Sequence, residues 1–417
     1  MSIGLNLVGV GKPLVIAACV ALSACNLITS KDSVPKASTG QDAKLDARLV
    51  APPIQIAPPA ANKPVPVQTP RAPGKVVLTR TSFSALPGWN TDTVAQAIPA
   101  FRKSCAVLSA KPDQHYIGKT KLGGKAEDWK YVCAKLKAFR GTDEASARGF
   151  IAANFDPHAV TGRGIFTGYY EPLLEGSLAR RPGYAYPLYI KPKQATTWMK
   201  SKGTGPSRRV LETTWTDNLK PLVWLKDPVD VFMLQVQGSG LVQLHSGRRM
   251  RVSYSGDNGH KYKSVFPAML RAGFDKNTSK SLQSMTKWLQ DHPRVSPEIM
   301  RENPRYIFFR AHASDGPIGA EGVTLTPGRS MAVDPAHIPL GAPLWLDTKA
   351  VYRGKMVPVQ RLMVAQDVGA AIKGVVRGDV YWGTGAKALE VAGNMKEPGR
   401  YFVLLPRKSG AGSVASR

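Results

Sequence analysis

Apolar positions recur three and four residues apart in 93–98, 129–139 and 144–155. That spacing lines one face of a helix, so 91–155 is predicted to be helical. From Gly164 onward the period changes. Short β-rich runs occupy 165–170, 184–190 and 231–237, and the last breaks at Gly238-Ser239-Gly240, a turn or bulge signal. A helical pair is predicted at 281–290 and 297–302. Ser296 would cap the second helix, with Pro297 at its first position and Glu298 in its first turn. Strand texture resumes at 306–309, 362–365 and 401–405. Many short strands separated by Gly/Pro turns predict a mainly β fold with some helices, and barrels rather than a parallel α/β sheet.

The N-terminus has a different pattern. The run LVIAACVALSA at 14–24 is too short to span a bilayer and reads as the core of a secretory signal. It ends in LSAC at 22–25, which looks like a bacterial lipobox: residues 1–24 would be removed and Cys25 would carry lipid. Cys19 reads as an ordinary small apolar residue of the run. Asn26, rather than Asp, follows Cys25, and by analogy with known lipoproteins this favours the outer membrane. Residues 31–75 hold nine prolines and no aromatic residue. Such a stretch cannot bury enough to fold, so 25–79 is predicted to be a lipidated tether. Residues 407–417 read as a flexible tail. The chain would then sit on the periplasmic side of the outer membrane of a Gram-negative bacterium.

Charge adds a partner class. Across 417 residues, 57 Lys+Arg against 29 Asp+Glu leave a formal charge of +28. Hydrophobic content of 43% with eight Trp excludes a chain disordered throughout, and a mean hydropathy of −0.19 excludes a polytopic membrane protein. An anionic partner is expected: nucleic acid, an acidic polysaccharide or a membrane surface. The stretch 176–226 concentrates ten Lys/Arg against two Asp/Glu, interleaved with Tyr184, Tyr186, Tyr189, Trp198, Trp215 and Trp224. These residues would stack bases or sugar rings, or simply form a solvated basic face. An exported, lipid-anchored plan argues against nucleic acid.

Cys105 and Cys133 remain. In an oxidising compartment they read as one disulfide, closing a loop of about 29 residues for about 3–4 kcal/mol. A pair of reactive thiols is the alternative. Their spacing matches no metal pattern, and neither metal nor cofactor is expected.

The chemistry concentrates in GRSMAVDPAHIPLGAPLWLDT at 328–348 and LMVAQDVGAAIKGVVRGDVYWGTG at 362–385. Asp334, Asp367 and Asp379 each sit at a strand–turn junction among Gly and Pro. Singly, each reads as a turn cap. Together, packed near apolar residues, they could raise one carboxyl pKa far enough for a general acid.

These segments resemble the three-aspartate (3D) domain of the membrane-bound lytic murein transglycosylase A (MltA) family, with the motif at 328–383. Other motifs follow in the family's order: FTGYYEP at 166–172, FMLQVQGSG at 232–240, YSGDNGHKY at 254–262, ENPRYIFFR at 302–310 and GPIGA at 316–320. Together they span residues 90–406. One departure is VGAA at 368–371, where many relatives have TGGA. The resemblance implies a double-psi β-barrel from 80–175 and 313–406, an inserted second β domain at 176–312, and a glycan groove between them. It also implies cleavage of the MurNAc–GlcNAc β-1,4 bond in peptidoglycan without water, leaving a 1,6-anhydro end. Asp379 would be the single acid and base and Asp367 would support it. Thr167, Tyr169, Tyr170, Gln237, Asn258, Lys373 and Asp334 would line the groove, although strand packing serves the Tyr and Gln residues equally well. Asp334 and Asp367 would alternatively orient loops, a role that suits Asp334 better. Proteins of the cell-wall synthesis complex are further partners the resemblance implies. Two rivals stand beside this reading: a hydrolytic glycosidase using Asp367 or Glu171 as second carboxylate, and a non-catalytic wall-binding lipoprotein.

Overall fold

The structure, a computed structural model, describes residues 76–200, 204–275, 277–278 and 281–408. The predicted signal, lipobox Cys25, most of the tether and most of the tail lie outside them. In chain order, β1 (Leu78–Arg80) precedes three helices, α1 (Ile98–Ser109), α2 (Ala126–Ala138) and α3 (Glu144–Asn154). Strands β2 (Phe155–Val160), β3 (Gly164–Glu171), β4 (Leu173–Ser177) and β5 (Tyr186–Tyr189) follow. Next come α4 (Gln194–Lys200), α5 (Arg208–Thr213), β6 (Pro221–Leu225), α6 (Pro228–Gln237), β7 (Ser239–Leu244) and β8 (Arg249–Asp257). Helices α7 (Phe266–Arg271), α8 (Leu282–Asp291) and α9 (Ser296–Arg301) lead to β9 (Ile307–His312). The chain closes with β10 (Ser330–Val333), β11 (Pro343–Tyr352), β12 (Lys355–Asp367), β13 (Arg377–Thr384), α10 (Ala386–Ala392) and β14 (Lys396–Pro406).

Strands β14, β11, β12, β10, β13 and β3 pair in that order, and β3 pairs back to β14, which closes a six-stranded barrel. The pairs β10–β12 and β13–β3 are parallel and the rest of the ring is antiparallel, as a double-psi barrel requires. Its core is continuous with the helical layer: Phe101, Leu108, Trp129 and Leu136 pack with Trp345, Leu346, Val364 and Tyr401. The buried positions of α1 (Phe101, Cys105, Leu108) and α2 (Trp129, Cys133, Leu136) keep the spacing visible in the sequence. A Cys105–Cys133 disulfide, with Cα atoms 5.3 Å apart, joins the two helices.

The second sheet, β5-β6-β4-β7-β8-β9, is inserted between β3 and β10, and a bridge from Ile190 to Phe309 links its two ends. Strand β4 pairs with β6 and β7 of this sheet. The chain therefore leaves the barrel at 171–173, a few residues before the predicted boundary.

Two local expectations are corrected. Residues 231–237 are not a strand but most of helix α6. Asp227 caps it by accepting a hydrogen bond from Val229 N (2.7 Å), Pro228 opens it, and Gly238 ends it at φ 84°. Four consecutive apolar residues followed by an alternating Leu234-Gln235-Val236-Gln237 fit both periods, so the capping residues decide. Ser296 is not a cap either, for it already lies inside α9. Its hydroxyl donates to the carbonyls of Leu289 (2.6 Å) and His292 (2.9 Å), closing the end of α8.

The basic stretch also changes character. Arg208 is only 1% exposed and donates to Gln235 Oε1, Glu212 Oε1 and the carbonyls of Asn303 and Arg305. Its guanidinium lies 4.9 Å from the Phe232 ring and 5.0 Å from that of Tyr306. Trp198 and Trp215 pack against each other and the core around Phe308. Part of the segment's charge and aromatic content therefore builds the inserted domain.

Candidate active site

Three neighbouring strands bring the site together. Asp367 on β12 and Asp379 on β13 both stand opposite Ala332 of the intervening β10, and Asp379 stands opposite Thr167 of β3. Partners in register share a sheet face, so the small Ala332 side chain leaves space between the two carboxylates. Gly168, next to Thr167, is required by a close approach. A Cβ there would lie 2.7 Å from the Trp382 ring and 2.8 Å from Ala392 Cα, so only glycine lets β3 pass beneath Trp382 and α10.

Asp367 is saturated: Oδ2 accepts from the Tyr169 hydroxyl (2.7 Å), and Oδ1 accepts from Ala320 N and Val368 N (2.9 Å each). Tyr169 is held in turn by Tyr381, whose ring centroid is 5.4 Å away. Asp379 is different. Its Oδ1 accepts from Thr167 Oγ1 (2.6 Å), and among the described residues no protein donor reaches Oδ2. Arg377 Nη2 donates to Thr167 Oγ1 (2.9 Å), so the threonine proton is directed at Asp379. Arg377 precedes Asp379 by two residues and shares its face of the strand, a period-two signal that was readable in the sequence.

Burial pushes the Asp379 carboxyl up to about 6. The Thr167 hydrogen bond and the Arg377 charge oppose the rise, and the Asp367 charge adds to it. Burial also raises Asp367, against its three hydrogen bonds.

The remaining predicted groove residues separate. Tyr170 N donates to Gln237 Oε1 (3.2 Å), which joins β3 to the end of α6; burial, with Asp230 nearby, pushes the Tyr170 hydroxyl up to about 12. Lys373 is exposed between β12 and β13. Asn258 does not line a groove: it is 0% exposed, its amide nitrogen donates to the carbonyls of Pro206 and Pro304, and its oxygen accepts from Tyr306 N. A polar residue in a Gly-rich turn looks available, but here all three of these bonds tie loops. Asp334 is likewise a buried loop clasp, accepting from Ala336 N (3.1 Å) and Gly374 N (2.9 Å).

Glu171 ends β3 at 0% exposure. Its oxygens accept from Arg251 Nε (2.9 Å), Arg251 Nη2 (3.1 Å) and Thr384 Oγ1 (2.8 Å). Arg251 lies on β8, so this pair ties the inserted sheet to the two strands that carry Thr167 and Asp379. Nothing local in the sequence pairs residues 171 and 251.

A family model described as the MltA specific insert domain matches residues 165–310, and one described as the 3D domain matches 329–405. Membrane-bound lytic murein transglycosylase A of Escherichia coli strain K12 is 33% identical over 258 residues, 60% of this chain and 68% of that protein. The chain belongs to the MltA family. Among solved MltA-like structures, the lytic transglycosylase LtgG of Burkholderia pseudomallei is 37% identical, covering 82% of this chain and 100% of that one at a TM-score of 0.55. E. coli MltA with bound chitohexaose is 26% identical, covering 83% and 100% at a TM-score of 0.60. The match to the MltA insert takes in barrel strand β3 and the second sheet, and the 3D domain corresponds to β10 through β14.

Proposed function

We propose that this chain is a peptidoglycan lytic transglycosylase in which Asp379 alone acts first as acid and then as base. The observation that carries the reading is the free Oδ2. Asp334, Asp367 and Glu171 have both carboxylate oxygens engaged, whereas Asp379 offers one oxygen to a ligand. With Oδ1 accepting from Thr167, the acidic proton resides on Oδ2. An ordinary glycosidase needs a second carboxylate, at about 5–5.5 Å for retention or about 6.5–9.5 Å for inversion. None of the engaged three is free to serve.

The substrate supplies the nucleophile instead. Asp379 Oδ2–H donates its proton to the glycosidic oxygen as the C1–O bond of MurNAc breaks. The MurNAc C6 hydroxyl then attacks C1 and gives its proton to the Asp379 carboxylate. The products are a 1,6-anhydro-MurNAc end and a fragment with a free GlcNAc 4-hydroxyl, and the enzyme returns protonated. A carboxyl pushed up to about 6 suits both proton transfers. The bound chitohexaose of the E. coli relative, a β-1,4 glycan, supports a glycan as ligand.

Mass spectrometry of digested sacculi tests the reading: anhydro ends are expected. Reducing ends, heavier by one water, would favour a hydrolase, and release of no soluble muropeptide would favour the wall-binding rival.

The proposal includes a lipid on Cys25 holding the enzyme at the periplasmic face of the outer membrane. No helix among the described residues is long and apolar enough to cross a membrane. Cys25→Ala is expected to move the protein from the membrane fraction to the soluble periplasmic fraction; unchanged membrane retention would refute the anchor.

A further inference from the structure

Behind Asp367 lies a buried polar network that the proposed reaction does not use. Gln366, its strand neighbour, points to the opposite face and is fully buried. Gln366 Oε1 accepts from Ser330 Oγ (2.5 Å), and its Nε2 donates to Ala100 O (2.9 Å) and Ser104 Oγ (2.8 Å) on α1. Ser104 passes its own proton to Glu321 Oε2 (2.6 Å). The chain of donors ends there.

Glu321 occupies the tip of the loop closed by the Ile318–Thr324 bridge. Its backbone N–H donates to Gln366 O (3.1 Å), and the preceding Ala320 N–H donates to Asp367 Oδ1 (2.9 Å). Farther along the loop, Lys103 Nζ of α1 donates to Thr324 O (2.9 Å) and Thr326 Oγ1 (3.2 Å). One short segment therefore grips Asp367 with its backbone and α1 with its side chain.

We propose that Glu321 is a positioning residue for Asp367, pinning loop 319–322 to helix α1 so that the Ala320 N–H stays on the carboxylate. The inference rests on Asp379 being the acid, because Asp367 acts on the reaction through its charge and its hold on Tyr169.

The surroundings of Glu321 favour its neutral form. Oε1 is buried with no hydrogen-bond partner, above Gly341 and the Leu108 methyl groups, where a Cβ on residue 341 would lie 2.8 Å from it. An ionised oxygen without donors costs far more in such a place than a neutral carboxylic acid does. Burial pushes Glu321 up to about 7, against hydrogen bonds from Ser104 and Gln366 and the charge of Lys111. Around it, α1 contributes Ser104 and Leu108, β12 contributes Gln366, and the turn before β11 contributes Gly341; Lys111 is the charged group acting on it. Because the folded value lies above the ordinary 4.5, the unfolded chain ionises first as pH rises. The stabilisation is present below about 4.5 and lost as pH climbs through about 7. The clamp thus loosens on the alkaline side.

The test compares pH–rate profiles on purified glycan strands for the wild type, Glu321→Gln, Glu321→Ala and Asp379→Asn. Loss of the Asp379 proton alone reduces the rate about tenfold per pH unit, and ionisation of Glu321 adds a further loss of up to about tenfold, so the wild-type profile is steeper than one proton gives around pH 7. Glu321→Gln, permanently neutral, is expected to keep the single-proton slope. Glu321→Ala is expected to lose kcat roughly tenfold with KM unchanged, as for a misplaced catalytic group. Identical slopes for the wild type and Glu321→Gln would overturn the proposal, as would wild-type kcat in Glu321→Ala; if the alanine variant does not fold, the glutamine slope decides. An active Asp379→Asn would sink the acid/base reading and this inference with it. An inactive Asp379→Asn with unchanged Glu321→Gln slopes would sink this inference alone.

Discussion

Asp379→Asn is expected to slow glycan cleavage by about 10²–10⁴-fold while leaving glycan binding nearly unchanged. The asparagine keeps an oxygen that accepts from Thr167 Oγ1, so side-chain position survives and only the transferable proton is lost. The wild type has a matching pH signature. Asp379 must be protonated to start the reaction, and its carboxyl is pushed up to about 6. The value of kcat/KM is therefore expected to be level below pH 6 and to fall about tenfold per unit just above it. Muropeptide release over a pH series, with sacculus pull-down as the binding control, checks both statements. Wild-type turnover in the variant, or a pH profile flat from 5 to 9, would refute the assignment.

Arg251→Met has the largest expected effect on the fold. It leaves Glu171 as a buried carboxylate with Thr384 as its one remaining side-chain donor, and removes the Arg251 bond to Ser314 O (2.7 Å) where the chain returns to the barrel. Removing one partner of a buried ion pair typically costs about 3–5 kcal/mol. Urea unfolding at neutral pH is expected to show a loss of that order, and the double variant Arg251→Met/Glu171→Gln is expected to recover part of it. A rise in KM should accompany the loss, because the same pair sets the inserted sheet against β3 and β13. Stability within about 0.5 kcal/mol of the wild type, the usual scale of surface substitutions, would show that the pair is not the clamp described.

Local pattern carried the helical layer well at α2, since Trp129 and Leu136 keep the spacing of one buried face whatever they pack against. It failed at 231–237, where four consecutive apolar residues followed by Gln235-Val236-Gln237 fit strand and buried helix equally, and the deciding signals were Asp227, Pro228 and Gly238 at its ends. The three aspartates stood out by their Gly- and Pro-rich settings, but their division of labour came from the family resemblance and not from local pattern. Asn258 was misplaced for a related reason: an amide in a turn shows its chemistry in sequence, not whether distant carbonyls already occupy it. Arg377 was within reach of the two-residue period of β13 and was missed.

The helical and β textures, the ordered motifs that match the MltA family, and the small set of carboxylates from which the chemistry is drawn are all properties of the chain read linearly. Which carboxylate keeps an oxygen free is settled by the folded chain alone. Asp367, Asp334 and Glu171 are filled by Tyr169, Ala320, Gly374, Arg251 and Thr384, most of them far away in the chain. Hydrogen-bond saturation and loss of water are properties of the assembled neighbourhood, and they separate four chemically similar acids into one candidate catalyst and three supports.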